Sequence, residues 1–289
     1  MTTTGTNTIG TKTYRDKWRM ATLDHTLRNA LVAEKICEVD RSDAKTIQNP
    51  YGSATTVSIT ALTGTYAVDD YTTTDDTLTV ADEFKVANHV YDFENTLSMF
   101  DLFAARTEQM MYDVAAAIDK HVLNVILEAG TTAYSAPAGG FTVAANINPI
   151  LANLSSKVMG YSDTYKGLFL VIENTDVVGF LQAQLTNGFS YADAALNNGF
   201  MTRQAGIDIY VVRTGTFVDA TTGTQTYTNA NHRLFGVKGV STYAAPRGVQ
   251  FDEKAVSGKT GKEVVVYGLI GVKLWTPKAA LIVDIDVSA

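Results

Sequence analysis

Cysteine is almost missing from this chain of 289 residues: Cys37 stands alone, so no disulfide can form within the chain. Such usage fits a reducing compartment, or one where disulfides are not needed. Charge is also sparse. Charged residues make up 18% of the chain, below the roughly 25% of an average globular protein. With abundant Thr, Gly, Ala and Asn, that points to many strands and turns, or to surfaces covered by neighbours. Basic residues are the scarcer sign, 23 against 30 acidic for a net charge of −7. A protein that grips nucleic acid needs Lys and Arg against the phosphates. The densest basic stretch is only Lys12, Arg15, Lys17 and Arg19, which reads as a solvated arm. Nucleic-acid recognition is therefore not the primary role expected. Long apolar runs are absent too. Met1–Thr13 lacks the apolar centre of a signal peptide, and no stretch reaches transmembrane length. The expectation is a soluble chain, intracellular at synthesis, with no membrane partner.

Motifs that carry chemistry are missing as well. Ser257-Gly258-Lys259-Thr260 looks like the end of a phosphate-binding loop, but Glu253 stands where its first glycine belongs. Glu263–Tyr267, where a helix should follow, reads as strand. His25, His89, His121 and His232 lie far apart without metal-type spacing, and each is expected at a surface or interface. Gly239-Val240-Ser241-Thr242-Tyr243 lacks the last glycine of a nucleophile elbow. Asp69, Asp70, Asp75 and Asp76 lack the spacing of a calcium loop and read as an acidic tip that is solvated or meets a basic surface on another subunit. No catalytic, cofactor-binding or metal-binding residue is assigned, and a structural role is expected rather than an enzyme.

What is present is a sequence of well-marked elements. Met1–Thr13 reads as an arm, and Leu23, Leu27, Leu31 and Val32 mark a short amphipathic helix ending near Ile36. Asn49-Pro50-Tyr51-Gly52 reads as a turn. Thr56–Thr60 and the run from Leu78 to Val90 alternate polar and apolar residues and are rich in Thr, Val and Ile. Together they suggest a long hairpin over 53–90 with an acidic tip. Such a hairpin buries little by itself and needs a partner surface. Next, Phe93, Leu97, Phe100, Ala104, Met111, Val114, Ile118, Val122 and Val125 recur at helical spacing. Neither Pro nor Gly interrupts Phe93–Ala129, and Gly130 stands at the expected stop. A helix of that length would span about 50 Å.

Helices are expected over Asn146–Gly160, entered by Asn148-Pro149, and over Asn174–Gln184 with Val177, Val178 and Leu181 inward. Strands are expected at Leu168–Ile172, Ile207–Val212, Leu234–Val240, Val264–Lys273 and Ala280–Val287, with a Thr/Asn/Gly loop or a small hairpin over Phe217–Asn231. The fold class is α+β.

In its order of elements the chain resembles the Johnson-fold major capsid proteins of tailed phages, to which the encapsulins are related. The likeness rests on the loop-then-long-helix order and on Ala115-Ala116-Ala117-Ile118-Asp119 near the helix end. It also rests on Asn198-Gly199-Phe200 through Gly206–Val211, Leu234–Val240 with Ala244-Ala245, Tyr267–Lys273, and Pro277. The resemblance implies an N-terminal arm over 1–52, an extended loop over 53–90, and a peripheral domain with a spine helix over 91–145. An axial domain over 146–233 and a return to the peripheral strands over 234–289 would follow.

It further implies a subunit that assembles with itself, as pentamers and hexamers, into an icosahedral head. That head would enclose double-stranded DNA without sequence-specific binding, in a virion assembled in the host cytoplasm. A separate scaffolding protein, a portal and decoration proteins are the other partners implied. Contacts between subunits are expected from Trp18, Leu23 and Leu27 of the arm and from Val57, Ile59, Tyr66, Val68, Tyr71, Leu78 and Val80 of the loop. Some members cross-link through a loop lysine, but no lysine lies between Ser53 and Phe84, so clasping without a covalent bond is expected. An encapsulin-type compartment shell is the alternative. A hydrolase with a dispersed site lacks a recognisable base, nucleophile or metal cluster, and a tail or fibre protein is disfavoured by the long internal helix.

Overall fold

A computed structural model describes residues 31–52, 72–91, 102–186, 200–222, 225–246, 248–255 and 260–288. One helical turn, α1 (Ala33–Ile36), is followed by β1 (Glu38–Asp40), β2 (Thr46–Gly52), β3 (Thr73–Thr79) and β4 (Asp82–Val90). The long helix α2 (Leu102–Ala129) precedes β5 (Thr132–Ser135), α3 (Ala144–Val158), β6 (Leu168–Glu173) and α4 (Val177–Thr186). Then come β7 (Phe200–Gln204), β8 (Ile207–Val212), β9 (Asp219–Thr222), β10 (Gln225–Thr228) and β11 (His232–Val237). The chain closes with β12 (Ser241–Ala244), β13 (Gln250–Ala255), β14 (Lys262–Leu274) and β15 (Ile282–Asp286).

Two large sheets organise the α+β fold. The six-stranded sheet has the order β5-β15-β11-β6-β8-β7. Its inner strand β6 is buried at every position, as expected for Leu168–Ile172, an apolar run without alternation. The five-stranded sheet runs β1-β12-β14-β13, with β4 also paired to β14. β14 has 13 residues, about 43 Å of strand. Its Lys262–Tyr267 portion pairs with both β13 and β4, and its Gly271–Leu274 portion with β12. Two short hairpins, β2-β3 and β9-β10, complete the topology.

The spine helix α2 joins these parts. Its 28 residues span about 42 Å, and it packs on β4 and β14 of one sheet, on β11 and β15 of the other, and on β10. Met111, Val114, Ile118 and Val122 face inward with the expected period. From Ile118 to Leu127 nearly every side chain is covered, which marks a helix enclosed on all sides rather than one lying on a single sheet face.

Four expectations need correction. The hairpin is formed by β2 and β3, with Gly52 opposite Thr73 and Thr46 opposite Thr79, so Asn49–Gly52 is strand and not a turn. β4, read as the second arm of that hairpin, lies instead along β14 in the five-stranded sheet. The Thr/Val/Ile alternation is common to both strands, and it cannot reveal that the chain changes sheets at Val80-Ala81. Asp76 is not at a solvated tip but buried in β3. Helix α4 also presents a different face: Val177, Phe180 and Ala183 are buried, while Val178 is 55% and Leu181 45% exposed. A Cβ on Gly179 would lie 2.0 Å from the Phe141 carbonyl oxygen. The missing side chain thus lets α4 press its Gly179 face on that backbone, and Phe180 stacks on Phe141 with ring centroids 5.6 Å apart.

Candidate functional site

The root of the β2-β3 hairpin is the most built-up polar site outside the sheets. Period-2 alternation turns Asp76, Leu78 and Val80 to one side, and that side is buried. Leu78 and Val80 form a small cluster with Ala244, Trp275 and Ile47, separate from the main core. A Cβ on Gly271 would approach Val80 Cα at 3.1 Å and Leu78 Cδ2 at 3.2 Å, so glycine lets the root sit directly on β14. The Trp275 indole N–H donates to Thr242 Oγ1 at 2.9 Å. One oxygen of Asp76 accepts the Thr276 backbone N–H at 2.8 Å, and the other lies 3.0 Å from Lys273 Nζ. Burial pushes the Asp76 carboxyl up, but the Thr276 N–H and Lys273 outweigh it and hold the pKa below the usual value. Val80 N–H donates to the Lys45 carbonyl at 2.9 Å and closes the root.

Behind the root opens a cavity of about 230 Å³, lined among others by Thr77, Thr79, Asp82, His121, Val272 and Lys273. His121 was expected at a surface and is instead buried on α2. Its Nδ1 is 2.8 Å from the Tyr227 hydroxyl of β10, and its Nε2 is 3.1 Å from Asp82 Oδ2 of β4, without the alignment of a hydrogen bond. Burial lowers its pKa against the opposing pull of Asp82. Among the described residues, no group of three or more His, Cys, Asp or Glu is placed to hold a metal ion. No helix among them is long and apolar enough to cross a membrane.

Two further polar devices tie distant segments together. Asp119, on the α2 face opposite solvent, accepts the Val32 N–H at 3.0 Å and the Ala33 N–H at 2.8 Å. It serves as a long-range N-cap for α1, which has no cap from its own side chains. Burial pushes this carboxyl up to about 7, although both N–H donors and Lys35 pull it down. In the six-stranded sheet, buried Arg233 pairs with Glu173 and Asp176. Glu173 also accepts the backbone N–H groups of Gly215, Thr216 and Phe217 at 3.0–3.2 Å. One guanidinium thus serves two carboxylates, and backbone N–H groups donate to both of them.

Of the residues expected to meet neighbours, Trp18, Leu23, Leu27, Val57, Ile59, Tyr66, Val68 and Tyr71 lie outside the described residues. Leu78 and Val80 lie inside them, and both are buried within the chain, at 1% and 9% exposure. Asp76 is legible in the sequence only as part of the acidic tip, and Lys273 and Trp275 are not marked there at all. The one available signal was Trp275-Thr276-Pro277 directly after a long strand, where an aromatic residue and a chain reversal coincide.

No family model matches the chain, and no curated protein matches it either. Solved structures do. The capsid of the cyanophage P-SCSP1u superposes with a TM-score of 0.65 at 14% identity, covering 89% of this chain and 88% of that one. The mature capsid of bacteriophage PhiM1 gives 0.62 at 11% identity, covering 91% and 86%. A virus-like particle from Pyrococcus furiosus gives 0.60 at 12% identity, covering 94% and 99%. The chain thus has the Johnson fold of phage capsid proteins, over nearly its whole length.

Proposed function

We propose that this chain is the major shell subunit of a tailed-phage head, assembling as pentamers and hexamers around packaged double-stranded DNA. The observation that carries the reading is the match to capsid structures over about nine-tenths of both chains. In this reading Trp18, Leu23 and Leu27 of the arm, and Val57, Ile59, Tyr66, Val68 and Tyr71 beyond the hairpin root, contact adjacent subunits. Each contact is weak, and many copies make the shell strong. Scaffolding, portal and decoration proteins are further partners in this reading, and the virion is the location.

The likeness to the Pyrococcus furiosus particle supports a second reading, a compartment shell of encapsulin type. Negative-stain microscopy of the expressed chain tests both: closed particles of uniform diameter are expected. A chain that stays monomeric or dimeric by light scattering in all salt and pH conditions overturns both. Nuclease-protected DNA in particles from the natural source selects the phage head, and its absence selects the compartment.

A further inference from the structure

We propose that Asp76, Lys273 and Trp275 are positioning residues that set the direction in which the hairpin leaves the subunit, and thereby which neighbour it reaches. The inference rests on the shell reading above. Its starting point is that a two-stranded ribbon has little stiffness of its own. Beyond Asp76, β3 is exposed on both faces at Thr73, Thr74 and Asp75, and the facing Asn49, Tyr51 and Gly52 of β2 are only half-buried, so little packing guides the ribbon there. From Thr79 to Thr73 it extends about 20 Å, and a tilt of about 10° at the root moves that end by about 3.5 Å. Such a shift is as large as a van der Waals contact distance, and a complementary contact with another subunit would be lost.

The angle must therefore be fixed at the root. There Leu78 and Val80 pack on Trp275 and Ala244, and Asp76 is held by Thr276 N–H and Lys273. A half-open, mostly polar cleft of about 230 Å³ borders the same root, lined by Leu78 and Lys273 as well as by His121 and Asp82, and an open cleft resists a tilt less than packed atoms do. The contacts of Asp76, Lys273 and Trp275 are what hold the ribbon, and releasing them frees the hairpin to tilt. The main core lies elsewhere, so this control over aim is separable from the stability of the subunit.

The test uses the full chain with spin labels at exposed Thr74 and Glu108, in the background of Asp76→Ala, Trp275→Leu and Lys273→Met. Lys273→Met keeps the stem on the sheet and removes only the charge, so it serves if either other variant fails to fold. In the unsubstituted subunit one narrow distance distribution is expected. The variants should roughly double its width, with the main unfolding transition retained, and Asp76→Ala should lower the yield of uniform closed shells about tenfold. A distribution of unchanged width in every folded variant overturns the proposal. So does a broadened distribution with a normal yield of uniform shells, which leaves the shell reading standing. Absence of particles from the unsubstituted chain overturns the shell reading itself.

Discussion

Asp119 shows how much one buried carboxylate can carry. It ends an alanine-rich turn of α2 and holds the chain where the N-terminal arm meets the body, through two backbone N–H groups of Val32 and Ala33. Its folded pKa of about 7 lies above the ordinary carboxyl value of about 4. Between those two values the folded chain holds a proton that the unfolded chain has released. Stability from this group therefore falls as pH rises from about 4 to about 7, and is level outside that window. Asp119→Asn cannot titrate, so the difference in unfolding free energy between it and the unsubstituted chain should change across that window and be constant above it. Denaturant titrations at a series of pH values measure this, and a constant difference from pH 4 to 8 would sink the assignment. Asp119 was visible in the sequence as part of an Ile-Asp run, but its task was not. The groups it binds lie 86 and 87 positions away, and no local pattern encodes them.

At the scale of elements, what could be read was whatever has a period. β6, β8, β14 and β15 fall where apolar runs of strand length occur, and α2 falls where apolar residues step by threes and fours over a stretch without Pro or Gly. The hairpin was misread because periodicity reports which face is covered, not what covers it. Leu78 and Val80 alternate like a free strand, yet they cover Trp275. Asp76 reads as one more acid in a polar tip, because its Thr276 partner is 200 residues distant. Helix α4 fails for a related reason: hydrophobicity ranks Val178 and Leu181 above Gly179, while packing puts the glycine at the contact. That contact gives a direct test. Gly179→Ala places a methyl 2.0 Å from the Phe141 carbonyl oxygen, so the helix or the Gly140–Thr142 turn must move. A loss of about 1–3 kcal/mol is expected by analogy with overpacked cores, measured by chemical denaturation. Val178→Ala, on the open face of the same helix, should cost less than about 0.5 kcal/mol. Equal costs for the two would show that α4 packs through the other face.

For the whole molecule, the shell reading proposed above has the consequence that folding and assembly draw on different parts of one chain. The two sheets and α2 share a continuous core, while among the described residues the hairpin has a separate small cluster at its root. Because Gly52 and Thr73 face each other across the ribbon, residues 53–72 can be replaced by Asn-Gly, a pair suited to a two-residue hairpin turn. The shortened chain keeps Asp76, Leu78, Val80 and every residue they touch. Its melting temperature should change by no more than about 4 °C, the shift that about 1 kcal/mol produces in a chain of this size. It should nevertheless form no closed particles, because Val57, Ile59, Tyr66, Val68 and Tyr71 are gone. Normal shells from the shortened chain would remove the loop from the assembly mechanism. Shells of the full chain supply the complementary measurement. With no lysine between Ser53 and Phe84, the loop has no amine to donate to a covalent link. Denaturing electrophoresis of intact particles should then return a single band at the mass of one chain, and a ladder of linked species would show that the clasp is covalent after all.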